Sequence, residues 1–235
     1  MTQKKPKFGE QAVNRFIEMV LARLVKAERL QARIKADFKQ LTRGEIDALS
    51  ILMSGFLLRP HLRVAEFQFE IGGAAVNLQG IMHRRKIELL HPSTGSLQLV
   101  ITQEQLTHFL RAELLQASEP TQKSQRLEQV DCELQPDEIR FRFQWSRGEE
   151  VELGVCTTIP RIEVHSNTVL LDQQGLKEKG VPGELIQAAI AHISSVLSLG
   201  DLANQGTTFV LEHLKIEADR VLVKAMAAID QFPSG

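Results

Sequence analysis

The chain has no tyrosine, a single tryptophan at position 145 and only 5% aromatic residues, so the stacking platforms that single-stranded nucleic acid uses are scarce. Nucleic acid is therefore not an expected partner. Cysteine is equally sparse: Cys132 and Cys156 have no second cysteine near either, which excludes zinc ribbons and Cys-x-x-Cys redox pairs. Both read as reduced, buried, small apolar residues, with a disulfide between neighbouring strands as the alternative. Metal-ligand spacing is missing as well. His61, His83, His91, His108, His165, His192 and His213 form neither His-x-His nor His-Glu-x-x-His, so no metal is expected. There is no Gly-x-Ser-x-Gly elbow, no phosphate-cradling loop and no dinucleotide fingerprint, and no catalytic residue or cofactor is assigned. The longest nearly uncharged apolar run, Ala48 to Leu58, is about half of the roughly 20 residues that a membrane-crossing helix needs. The first residues lack an apolar stretch with a small-residue cleavage site, so the expected location is cytoplasmic, peripheral on the membrane.

What is present begins with a charge split. The net charge is −1, but residues 1 to 43 carry eleven Lys/Arg against four Asp/Glu, or +7, which leaves 17 against 25, or −8, for the rest. A basic end on an acidic body suits an anionic membrane surface, where each Lys or Arg contributes about 1 kcal/mol. From Gln11 to Arg29, Val13, Phe16, Ile17, Val20, Leu21, Leu24 and Ala27 recur at helical spacing. The membrane-facing candidates are Lys4, Lys5, Lys7, Arg15, Phe16, Val20, Arg23, Leu24 and Lys26. Docking of the same stripe on the protein's own sheet is the other reading.

After Leu30 the period drops to two, and Leu30 to Phe38 reads as a half-buried strand. Further strands fit Ala48 to Met53, Leu62 to Ile71, Ala74 to Gln79, Lys86 to Leu90 and Ser96 to Ile101, with Pro92 to Gly95 as a turn. Thr102-Gln103-Glu104-Gln105 is a capping box that opens a helix to about Gln116, with Leu106, Phe109, Leu110 and Leu114 as its buried stripe. Residues 117 to 129 turn polar and read as a linker between halves. Beyond it, Ile139, Phe141, Phe143 and Trp145 alternate with polar residues. An extended region follows from Val151 to Leu171, interrupted at Pro160. Pro182 opens a second helix, whose stripe of Leu185, Ile186, Ala189, Ile190, Ile193, Val196 and Leu197 ends at Gly200, and strands at Thr207 to Ile216 and Arg220 to Ile229 close the chain. Strands grouped rather than alternating with helices indicate an α+β fold with mostly antiparallel pairing.

Three chemical pairings have plain structural counterparts. Glu104 and His108, four apart, read first as a solvated helix-face pair. Cys156 and His165, nine residues apart on one extended segment, sit too far from each other for a nucleophile and its base. Arg84-Arg85-Lys86 reads as a solvated turn, or as a contact for lipid headgroups.

The segment Gln98 to Leu110, with its strand, Thr102, Glu104 and Leu106, resembles the strand-Thr-Glu-Asp-Leu-Asn-Leu segment of the LmeA-like phospholipid-binding family. Where the family has Asp-Leu-Asn, this chain has Gln105-Leu106-Thr107. Leu41 to Asp47 looks like the family's Leu-x-x-Gly turn, and Val181 to Ile186, Leu197 to Leu202 and the strands to Pro233 look like its C-terminal half. The resemblance implies a tubular lipid-binding-like domain: a curved, mostly antiparallel sheet wrapping long helices, with a groove for a phospholipid or fatty acyl lipid. It implies a domain over 30–233, in halves 30–116 and 128–233, preceded by the helix of residues 1–29. Groove candidates are Phe67, Phe69, Phe141, Phe143, Leu185, Ile186, Ile190 and Ile193. A protein-interaction scaffold or homo-oligomer built on the N-terminal helix is the alternative.

Overall fold

Period-two alternation dominates the chain and strands dominate the fold. A computed structural model describes residues 26–36, 43–75, 89–117, 125–176, 181–200 and 207–229, together with Arg15, Glu18, Met19, Ala22, Gln40, Leu202 and Ala203. Its strands are β1 (Arg29–Lys35), β2 (Glu45–Ile46), β3 (Ala48–Arg59), β4 (Leu62–Ile71), β5 (Ala74–Ala75), β6 (Ser93–Thr102), β7 (Gln125–Gln135), β8 (Glu138–Arg147), β9 (Glu150–Glu163), β10 (Thr168–Leu176), β11 (Thr207–Ile216) and β12 (Arg220–Ile229). Helix α1 (Gln103–Ala117) lies between β6 and β7, and α2 (Gly183–Leu197) between β10 and β11. All described pairings are antiparallel, and the class is α+β.

One sheet runs β1-β3-β4-β6-β12-β11 and a second is the meander β10-β9-β8-β7, with β2 and β5 as a small accessory pair. The last two strands thus complete a sheet begun by the first four. Register aligns the apolar positions into rows: Ala32, Ile51, Phe69, Leu97, Ala225 and Leu211 lie side by side across all six strands of the large sheet, and all are buried. The meander does the same with Val130 beside Phe143 and with Cys132, Phe141 and Cys156 abreast. These faces and both helices share one hydrophobic core. Burying apolar area at about 25 cal/mol per Å² makes that core the main stabilising term.

Side chains cover the described sheet edges, whose unpaired backbone would otherwise invite further strands. Gln103, Thr107 and Arg111, one helical turn apart on α1, bond the edge of β7: Gln103 accepts from the Leu134 amide at 2.8 Å, the Thr107 hydroxyl donates to the Cys132 carbonyl at 3.0 Å, and Arg111 donates to the Val130 carbonyl at 3.1 Å. On β10, Ser198 of the α2 C-terminus accepts from the Val169 amide at 2.8 Å, and Ser194 donates to the Val169 carbonyl. Asn167, in the turn between β9 and β10, receives the Leu211 amide at 2.8 Å and donates to the Phe209 carbonyl at 2.5 Å. Glu18 accepts from the Ala32 amide of β1 at 3.0 Å. The helices α1 and α2, about 22 Å long at fifteen residues each, also touch one another.

Several boundaries differ from expectation, each for a local reason. Residues 93 to 95 belong to β6 rather than to a turn: a Cβ on Gly95 would fall 2.4 Å from the Glu70 carbonyl oxygen, so this glycine serves close strand approach. Residues 125 to 129 belong to β7 rather than to a linker, because a register shift between Leu127 and Gln129 breaks the alternation. β3 continues past Met53 through Gly55, at φ 63°, to Arg59. The extended region divides at a turn after Glu163, not at Pro160, which pairs with Leu171 beyond the point where the ladder to β8 ends at Thr158. There β9 is locally an edge and tolerates a proline. The strand expected from Leu30 to Phe38 ends at Lys35, and those expected at Ala74 to Gln79 and Lys86 to Leu90 fall largely outside the described residues.

Candidate functional site

Four phenylalanines line up on the large sheet. Phe56 and Phe67 have ring centroids 5.1 Å apart, Phe67 and Phe69 6.3 Å, and Phe69 and Phe209 6.3 Å. The last contact is the informative one, because β4 and β11 are three strand spacings apart, about 14 Å in a flat sheet. On the two intervening strands the register sets Leu97 and Ala225 in the row of Phe69, and Gly95 and Ala227 in the row of Phe209. The result is a row of aromatic rings that belongs to the shared apolar core. Phe67 keeps 8% exposure and Phe69 and Phe209 keep 9% each, whereas Leu99 on the same sheet has 0%.

The remaining groove candidates occupy different settings. Phe141 and Phe143 are fully buried on the meander face, next to Trp145. On α2, Ile186 and Ile193 are buried in the shared core while Leu185 and Ile190 are half-buried at its margin. Arg15 and Lys26 are exposed; Lys4, Lys5, Lys7, Phe16, Val20, Arg23 and Leu24 lie outside the described residues, as do His83 to Lys86. Phe56 and Phe209 escaped the sequence reading because their neighbours are set by sheet order, which one strand's alternation does not reveal.

A polar cluster sits where the β3–β4 hairpin meets both helices. The Arg59 guanidinium lies 5.4 Å from the Phe109 ring centroid, a cation–π arrangement, and donates to the Ser195 hydroxyl at 3.2 Å. Burial pulls its pKa below the ordinary value while the nearby Glu113 carboxylate pushes it back up; a guanidinium remains charged throughout. His192 Nδ1 stands 3.9 Å from Glu113, and its ring meets Phe109 edge-on at 6.1 Å. Helix spacing explains the assembly: Phe109 and Glu113 are four apart on α1, and His192 and Ser195 three apart on α2.

The cysteines take no part. Cys132 and Cys156 flank Phe141 on opposite neighbouring strands, about 10 Å apart, beyond disulfide reach, and both are free. Burial pushes the Cys132 thiol far up, with Glu133 and Asp131 adding to it, and burial raises Cys156 too. His165 is 98% exposed while Cys156 is buried, so the two form no catalytic pair. Glu104 and His108 are both exposed on α1. Among the described residues there is no group of metal-ligating side chains and no helix long and apolar enough to cross a membrane.

The class these features define is an α+β protein, with antiparallel sheets and, among the described elements, the helices α1 and α2 around one apolar interior. Residues 7–226 match the LmeA-like phospholipid-binding family, and the chain belongs to it. That family is a phospholipid-binding one rather than an enzyme family. No curated protein and no solved structure matches the chain.

Proposed function

We propose that the protein holds the acyl chains of a phospholipid in an apolar trough along the aromatic row of the large sheet. The observation that carries this is the approach of Phe69 and Phe209 across two strands on which the small residues Gly95, Ala225 and Ala227 accompany Leu97, in a member of a phospholipid-binding family. Each buried methylene contributes about 0.8 kcal/mol. Association costs on the order of 4–15 kcal/mol in lost freedom, so a net gain requires about a dozen buried methylenes or more, which selects long acyl chains over short fatty acids. The basic segment of residues 1 to 29 then meets an anionic membrane surface from the cytoplasmic side and brings the trough to its lipid source.

A phospholipid with a photoactivatable diazirine in its acyl chain tests the trough. Peptide mapping after irradiation is expected to find adducts at Phe56, Phe67, Phe69 or Phe209; labelling confined to outward-facing residues such as Val164 contradicts the proposal. Flotation with phosphatidylglycerol vesicles, with and without residues 1 to 29, tests the membrane arm, and binding unchanged by the deletion overturns it.

A further inference from the structure

The polar cluster at the hairpin occupies a mechanically distinct boundary. Within the meander each strand is laddered to the next, and α1 and α2 are tied to its outer strands by side-chain bonds to backbone groups. Where α1 meets α2, the described polar contacts run from side chain to side chain, among Arg59, Ser195, His192 and Glu113. Contacts of that kind exchange partners without unmaking a strand ladder. Phe56, one ring of the aromatic row, is three residues before Arg59 on the same strand, β3. A half-buried guanidinium beside an apolar trough meets the charged end of an amphiphile whose tail lies in that trough.

We infer that the seam between α1 and α2 at Arg59 seats the phosphodiester of the bound lipid, with the Ser195 hydroxyl as a second donor and Glu113 as the carboxylate that balances the cation when no lipid is present. This rests on the function proposed above and names its head-group chemistry. The guanidinium fork matches two phosphate oxygens. Glu113, by competing, holds down the site's affinity for a free anion. A phosphate tethered to a chain already in the trough arrives at a high effective concentration and overcomes that competition. His192 stands half-buried beside Glu113.

The test loads the full chain from glucoside-detergent micelles holding equal amounts of dioleoylphosphatidylglycerol and dioleoylglycerol, which share tails and differ in the phosphate, and reads occupancy by native mass spectrometry. The wild type is expected to take the phospholipid by about tenfold or more, since a charge-assisted hydrogen-bonded pair is worth at least that. Arg59→Gln is expected to bring the ratio close to one while still loading dioleoylglycerol, and Glu113→Gln, which leaves the cation in place, to raise it. An Arg59→Gln ratio equal to wild type overturns the head-group site and leaves the trough standing; a wild type that loads neither lipid overturns the trough and the site together. Circular dichroism checks that each variant is folded. If Arg59→Gln is not, the Glu113→Gln ratio decides alone, and no rise overturns the inference. Inorganic phosphate is added in a parallel arm: displacement of phosphatidylglycerol at low millimolar phosphate identifies a site for a soluble anion and overturns the lipid assignment.

Discussion

At the scale of single residues, glycine and acidic positions show how local chemistry fixes the architecture. Gly154 on β9 lies against the indole of Trp145 and the side chain of Val181; a Cβ there would approach Val181 to 2.1 Å and the indole to 3.0 Å. Gly154→Ala therefore overpacks the meander's face and is expected to cost about 1–3 kcal/mol. Urea unfolding followed by the fluorescence of Trp145, the only tryptophan, measures it, and an unchanged midpoint contradicts the packing described. Glu217 is half-buried, and hydrogen bonds from Lys215 first and Arg220 second hold its carboxyl at about 2, against an ordinary 4.5. A carboxyl whose pKa falls on folding adds stability above the ordinary value, and that contribution fades as pH drops from about 4.5 to about 2. The stability difference between wild type and Glu217→Gln is expected to be small at neutral pH, smaller in high salt, and to vanish through that window. A difference that persists at the bottom of the window counts against the pairing.

At the scale of elements, the sheets end where side chains imitate a further strand. Asn167, at φ 52°, offers its amide to both the Phe209 carbonyl and the Leu211 amide of β11. Asn167→Ala leaves both groups without that partner and is expected to cost about 1–3 kcal/mol, with faster hydrogen exchange at the Leu211 amide. Exchange unaltered at Leu211 would show that the bond contributes nothing. The elements themselves were mostly legible in the sequence. The capping box forms as its residues dictate, with the Gln105 amide donating to the Thr102 hydroxyl at 3.3 Å and the Thr102 amide to the Gln105 side chain at 3.0 Å. Helix α2 begins just after Pro182 and buries Ile186, Ala189, Ile193, Val196 and Leu197 of the stripe that its spacing marks out, with Leu185 and Ile190 half-buried beside them. What stayed hidden depends on partners distant in sequence. Gly95 reads as a turn until Glu70 is known to lie beside it, Gln125 to Gln129 reads as polar linker until a bulge is placed in β7, and Asn167, Ser194 and Ser198 look like ordinary surface polar residues until the edges they cover are known.

At the scale of the whole molecule, strand order brings scattered phenylalanines into one row. Phe67 and Phe69 were readable as an apolar pair on one strand; their partner Phe56 became visible through the pairing of β3 with β4, and Phe209 only when β12 brought β11 into that sheet. The same order explains why the interior carries so little reactive chemistry. Its buried polar residues, Ser93 and Thr158, have their hydroxyls bonded to the backbone carbonyls of Gly73 and Ile139, and its cysteines are held as inert thiols. On the function proposed above, this interior holds the lipid's hydrocarbon. Native mass spectrometry of the full chain, purified from its own host and then re-examined after exposure to phosphatidylglycerol vesicles, bears on that most directly. The expected result is a mass excess equal to one long-chain phospholipid, removed by organic extraction and restored by the vesicles. A bare polypeptide mass in both preparations would contradict a lipid-holding interior.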